Sequence, residues 1–121
     1  MDLKEISGEF TICRLSDASC IRLEKEYCFA AKTDTEISLV CRTEEVPESA
    51  LEREDGWRAF RIQGELDFSL IGILAGISSL LAQAEIGIFV VSTYQTDYVL
   101  VKKEQYERAL EVLSRAGYTV V

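Results

Sequence analysis

The chain contains no histidine and only one proline, one methionine and one tryptophan in 121 residues. Without histidine no Cys–His or Ser–His nucleophile pair can be built, and the commonest metal ligand is missing as well. Cations are the minority charge: 13 Lys and Arg stand against 21 Asp and Glu, a net charge of −8. A phosphate backbone is held by clustered Lys and Arg, and none cluster here, so nucleic acid is not an expected partner, nor is an anionic membrane surface. The four cysteines, Cys13, Cys20, Cys28 and Cys41, all fall in the first half, and no pair has C-x-x-C spacing. A zinc site would need unusual ligand spacings. Cys13, Cys28 and Cys41 therefore read as small core residues on strands, and Cys20 as the most exposed of the set. No metal or cofactor is expected.

Long apolar runs are also scarce. Residues 68–91 carry a single charge, Glu85, but Ser, Gln and Gly interrupt them, and Ile86-Gly87-Ile88 turns toward β-branched residues, which argues against a membrane span. The start, Met1-Asp2-Leu3-Lys4-Glu5, is charged and has no apolar segment of the signal-peptide kind, so a cytoplasmic location is expected. What is present, 48% hydrophobic and 28% charged residues, suits one compact unit of ordinary size.

The hydrophobic period switches along the chain between two and about 3.6. Alternation predicts strands over 10–15, 27–32, 37–42, 57–62, 86–92, 98–101 and 118–121. A short acidic helix is expected over 44–54, with Pro47 at its start, Ala50 and Leu51 on its apolar side and Gly56 as its stop. A second helix is expected over 68–84. Leu70, Leu74, Ile77, Leu81 and Ala84 form its stripe, and its other faces are apolar or small, so it should be buried on more than one side, in a domain or subunit interface. Gly72 and Gly76 make a G-x-x-x-G pair that would admit close backbone approach. The third helix, 104–116, sets Tyr106, Ala109, Leu110 and Leu113 on one face and stops at Gly117.

The two halves share one plan. A shift of 61 sets Thr35 on Thr96, Glu36 on Asp97, Leu39 on Leu100, Val40 on Val101 and Gly56 on Gly117. The order of elements predicts an α+β protein of tandem ferredoxin-like βαββαβ units with antiparallel sheets. The division expected is 1–61 and 62–121. Between Leu15 and Tyr27 there is no room for a full helix, so the first unit should have a shortened first helix.

Chemistry concentrates in 64–97. A short polar turn, Gly64-Glu65-Leu66-Asp67, leads into the uncharged helix, whose first backbone N–H groups are offered to an anion, and the loop Thr93-Tyr94-Gln95-Thr96-Asp97 adds hydroxyls and a carboxylate. Such groups suit a small zwitterion. Glu65 and Asp67 are adjacent carboxylates, but a solvated turn accounts for them. With no activated nucleophile pair in the sequence, the chain is not read as an enzyme.

The segment from Gly64 through Leu66, Asp67, Phe68, Ser69, Leu70, Ile71 and Gly72, with 88–101, resembles the small bacterial ACT-domain proteins related to the cytosolic arginine sensor family. The resemblance covers the second half well and the first half in layout only. It implies tandem ACT units and a regulatory role in binding an amino acid. The ligand-binding residues it implies are Leu66, Asp67, Phe68, Ser69, Leu70, Ile71 and Gly72 at the turn and helix start, and Thr93, Tyr94, Gln95, Thr96 and Asp97 in the loop. Asp67 or Ser69 would cap the helix, and Asp97 would pair with an ammonium or guanidinium. Asp97 suits arginine or lysine, whereas Phe68 and Tyr94 suit an apolar amino acid equally well. A homodimer would restore the four units that the sensor carries in one chain. The alternative is an interaction or dimerisation module with no small-molecule ligand.

Overall fold

The computed structural model describes residues 1–64 and 71–121. The chain forms two compact units, Met1–Ser7 with Arg58–Val121, and Gly8–Trp57. The strand β1 (Asp2–Leu15) and the strand β4 (Glu52–Ile62) each begin in one unit and end in the other. The division expected from sequence, between residues 61 and 62, falls inside β4.

The unit containing Arg58–Val121 holds the end of β4, the helix α1 (Ile73–Gln83), strands β5 (Phe89–Ser92) and β6 (Asp97–Lys102), the helix α2 (Lys103–Arg115) and the strand β7 (Thr119–Val120). Its hydrogen-bonded order is β7-β1-β4-β6-β5. The β4–β7 succession is the expected βαββαβ plan, with one addition: the N-terminal end of β1 stands between β4 and β7. Its pairing with β7 is parallel, Asp2 opposite Thr119 and Leu3 opposite Val120, in a sheet expected to be antiparallel. This strand was not expected before residue 10. Its buried residues Leu3, Ile6 and Phe10 are not in strict alternation, and Gly8 within the strand takes φ 93°.

Helix α2 follows its sequence pattern closely, with Tyr106, Ala109, Leu110 and Leu113 as its buried face. Glu104 in its first turn and Arg115 in its last complement the helix dipole. At its end Gly117 takes φ 105°, its N–H bonds Ser114 O at 3.1 Å and the Tyr118 N–H bonds Leu113 O at 3.1 Å, the Schellman closure that satisfies the last carbonyls.

Helix α1 spans Ile73–Gln83, and residues 68–70, the first of the helix expected over 68–84, lie outside the described residues. Gly72 has φ 81°, a left-handed conformation outside the helix, so the G-x-x-x-G pair does not lie on one helical face. A methyl on Gly76 would come 3.3 Å from the Tyr118 hydroxyl, which makes Gly76 the close-approach position. The expected strand over 86–92 begins only at Phe89. Residues before it close α1: the Glu85 N–H bonds Ala82 O and the Ile86 N–H bonds Leu81 O, both at 2.9 Å, and Ile86 is buried in the same core as Leu81. Glu85 occupies the left-handed position of this cap at φ 61°, where a side chain costs about 1 kcal/mol relative to glycine. Glu85→Gly should therefore raise Tm by several degrees, read by thermal unfolding. A fall in Tm would contradict this reading of the cap.

Both helices meet the strands through a core built on Leu3, Phe60, Ile62, Val99 and Val101 from strands and Ile77, Leu81, Tyr106 and Leu113 from helices. The Tyr106 hydroxyl donates to Ala59 O at 3.1 Å. Burial pushes its pKa well up, with Glu5 adding to the effect.

In the unit Gly8–Trp57 the order is β2-β3-β1-β4, where β2 is Phe29–Lys32 and β3 is Ile37–Arg42. β2 begins two residues later than expected. Tyr27 is held in a left-handed turn (φ 58°) while its ring meets Phe10 edge-on at 6.4 Å and lies under the Arg42 guanidinium. The helix expected over 44–54 does not form. A single 3-10 turn, Thr43–Glu45, is followed by the turn in which the Ala50 N–H bonds Pro47 O, and β4 is already extended from Glu52. Gly56 lies within β4 at φ 86° and ends no helix. Polar partners hold this part of β4: Glu52 pairs with Arg14 at 2.6 Å, and Asp55 accepts from Thr11 at 2.8 Å. In this unit β4 is an edge strand, so no apolar alternation marks it.

The β2–β3 and β5–β6 hairpins are equivalent at a shift of 60, not 61. Phe29 pairs with Val40 as Phe89 pairs with Leu100, and Lys32 pairs with Ile37 as Ser92 pairs with Asp97. A slip of one residue exchanges the faces of every strand position, so the structural counterpart of Val99 is Leu39.

Candidate functional site

The β5–β6 hairpin is closed by four residues, Thr93 to Thr96, between paired Ser92 and Asp97. The Thr93 N–H donates to Thr96 O at 2.9 Å, and the Thr93 hydroxyl donates to the same carbonyl at 3.1 Å while accepting from the Thr96 N–H at 3.3 Å. This is the local hydroxyl-to-backbone bonding that Thr offers in turns. Thr33 does the same in the β2–β3 hairpin, where its hydroxyl accepts from the Glu36 N–H at 3.1 Å.

Thr96 points inward. It is 4% exposed, and its hydroxyl donates to Ile62 O at 2.7 Å. Ile62 is the last residue of β4, so this bond fixes the hairpin beside the chain that leaves β4 toward α1. Asp97 is half-buried, with Oδ1 accepting from the Ser92 hydroxyl at 2.5 Å. Tyr94 projects outward, 79% exposed, and Gln95 is exposed beside it. The two threonine hydroxyls that sequence reading offered to a ligand are thus already engaged, one in closing the turn and one in anchoring it.

At the start of α1 the first helical hydrogen bond runs from the Gly76 N–H to Gly72 O at 3.0 Å. The N–H groups of Ile73, Leu74 and Ala75 precede it, Gly72 has no side chain with which to cap them, and the first turn has no acidic residue. The positive end of the helix dipole lies here. A cavity of about 320 Å³ adjoins this end, lined by Met1, Gly72, Ile73, Ala116, Gly117 and Tyr118. Ile71 is 90% exposed. Of the predicted site residues, Leu66, Asp67, Phe68, Ser69 and Leu70 lie outside the described residues.

The structure adds two residues that sequence reading missed. Arg61, on β4, donates from Nη1 to the Tyr98 hydroxyl at 3.2 Å and from Nε to Gln63 Oε1 at 3.2 Å. Tyr98 directly follows Asp97 on β6. The available signal was Arg61 itself, a cation alternating with buried Phe60 and Ile62. Its partner became visible only once β4 and β6 were adjacent in the sheet.

Among the described residues no group of three or more Cys, Asp or Glu side chains is placed to hold a metal. No helix among them is long and apolar enough to cross a membrane.

An ACT-domain family model matches residues 52–115, and the chain belongs to the ACT-domain family. The α+β fold with two helices on the sheet is the fold of that family. The chain is 40% identical over 60 residues to the protein named cytosolic arginine sensor for mTORC1 subunit 1 from Homo sapiens, a match covering 49% of this chain but 18% of that protein. Among solved structures, a protein of Agrobacterium tumefaciens is 32% identical with a TM-score of 0.88, covering 99% of this chain and 91% of that one. The aspartate kinase of Clostridium acetobutylicum, described as an allosteric enzyme, shares the fold at a TM-score of 0.64 and 17% identity, over 94% of this chain and 33% of that enzyme.

Proposed function

We propose that this protein is a non-catalytic, amino-acid-binding regulatory module built of two tandem ACT-like units, Gly8–Trp57 and Arg58–Val121 with Met1–Ser7, the first with its helices reduced. The observation that carries the reading is the Thr96 bond to Ile62 O, which holds Asp97 at the end of the unit where the chain leaves β4 for α1. An amino acid has the matching charges. Its carboxylate would sit at the first N–H groups of α1, and its ammonium, or the guanidinium of arginine, at Asp97. Phe68 and Tyr94 would flank an apolar side chain instead. The family match and the likeness to a protein named as an arginine sensor support this reading. Homodimer formation would supply the four units of a sensor, in the cytoplasm, where the relative's name places that protein.

Thermal unfolding against each of the twenty amino acids at millimolar concentration tests the proposal. A ligand at 100 times its Kd adds about 2.7 kcal/mol and raises Tm by several degrees. A selective shift with one amino acid or one charge class is the expected result, and a uniform absence of shift would refute it. A second reading, a docking module with no small ligand, draws on the exposure of two large side chains, Ile71 and Tyr94. It predicts that absence.

A further inference from the structure

All four cysteines gather on one face of the unit Gly8–Trp57. Cys13 and Cys41 lie on β1 and β3 and are buried with Leu15 and Leu39, while Cys20 and Cys28 come from residues 16–28 and pack against that cluster. All four are free thiols. The two strand cysteines are offset in register, since Cys13 stands opposite Leu39 and Cys41 opposite Thr11. They are therefore diagonal neighbours, with Cβ atoms about 7 Å apart, too far for a disulfide, which needs Cβ atoms about 4 Å apart.

A strand cysteine can consequently be bridged only to a cysteine on the covering segment. Cys20 packs against the cluster that contains Cys13. Its Sγ is 3.8 Å from Ser49 Oγ, Ala50 packs on the Cys13 cluster, and the Leu51 N–H bonds Arg14 O at 2.8 Å, directly after Cys13. Cys20 is half-buried, as Cys28 is, and it is Cys20 that lies on the wall of a cavity of about 590 Å³ where Arg22 and Lys25 face Glu44, Glu45 and Glu48. Cys13, Cys28 and Cys41 are held as thiols by burial, Cys41 with its pKa pushed up to about 12.

We propose that Cys20 is a peroxide-sensitive site and Cys13 its resolving partner, so that oxidation joins residues 16–20 to β1 and remodels the cavity that Cys20 lines. In the first step the Cys20 sulfur attacks hydrogen peroxide. The S–O bond forms, the O–O bond breaks, and water leaves with a sulfenic acid on Cys20. In the second the Cys13 sulfur attacks that sulfur. The S–S bond forms, the S–O bond breaks, and the hydroxyl departs as water with the Cys13 proton. A thiol reductant reverses the product. This inference is independent of any amino-acid site in the other unit.

The test is peroxide titration of the full chain, followed by non-reducing peptide mapping and intact mass. The expected result is an intramolecular Cys13–Cys20 cross-link with the loss of two hydrogens per chain, a Tm raised by several degrees and full reversal by dithiothreitol. Cys20→Ser, at a half-exposed position that should tolerate the change, should abolish the cross-link and leave Cys13 unmodified. Cys13→Ser should trap the sulfenic acid on Cys20, detected with a dimedone-type reagent. If Cys13→Ser unfolds, accessibility of the native thiols to iodoacetamide decides the order, with Cys20 reacting first. A Cys28–Cys41 bridge, an intermolecular bridge through Cys20, over-oxidation of Cys20 without a cross-link, or no modification would each overturn the proposal.

Discussion

Replacing Phe60 by alanine should cost about 3–5 kcal/mol and lower Tm by about ten degrees or more. Phe60 has no exposed surface and lies on β4 among Leu3, Ile62, Ile77, Leu81, Val99, Val101 and Leu113. Those neighbours come from strands and helices on both sides of the chain's middle, so the cavity left by the ring cannot close by the shift of a single element. With a typical domain stability of about 5–15 kcal/mol, the variant would retain little reserve. Urea unfolding followed by circular dichroism measures it, with Lys32→Ala, at an exposed position of β2, as a control expected to change stability by less than about 0.5 kcal/mol. A loss below about 1 kcal/mol for Phe60→Ala would mean that the core is not organised around β4.

The second large effect concerns the ligand. Asp97→Ala should abolish the amino-acid-dependent rise in Tm, a stabilisation of about 2.7 kcal/mol at 100 times Kd, while changing the unliganded protein far less. Among the described residues the carboxylate accepts from the Ser92 hydroxyl, and such a bond contributes about 1 kcal/mol. Thr96→Val should behave differently. It keeps the shape but leaves Ile62 O without its donor, which should cost about 1–3 kcal/mol in the unliganded protein and loosen the hairpin that positions Asp97. Loss of ligand response in both variants, with a stability loss concentrated in Thr96→Val, separates binding from positioning. Retention of the full response in Asp97→Ala would remove the carboxylate from the site.

Much of the fold was legible where an element has one wet and one dry face, as helix α2 shows in the spacing of Tyr106, Ala109, Leu110 and Leu113. Strand β3 was legible from its short apolar run instead, since Leu39, Val40 and Cys41 are all buried. The misread elements lack that contrast. The outer part of β4 is Glu52-Arg53-Glu54-Asp55, all exposed, and its extension depends on Arg14 and Thr11 across the sheet. The start of β1 buries Leu3 and Ile6 at an odd spacing that masks a strand, and the close of α1 uses Ile86 as a cap contact where β-propensity suggested a strand. Of the candidate site region, the turn over 93–96 was legible from turn chemistry, while Asp97, expected in the loop, is the first residue of β6 and pairs with Ser92. The inward hydroxyl of Thr96 was not legible, because threonine in a polar loop reads as surface until Ile62 O is brought against it. The Arg61–Tyr98 pair likewise depends on which strands become neighbours.

The most direct test of the account is a series of amide ¹H–¹⁵N spectra of the full chain, titrated with the amino acid that gives the largest thermal shift or, failing one, with an equimolar mixture of all twenty. Binding as proposed predicts saturable changes concentrated in the amides of Gly72 to Gly76 and Thr93 to Asp97, with the amides of residues 16–50 unmoved. Spectra unchanged throughout, or changes centred elsewhere in the chain, would contradict it.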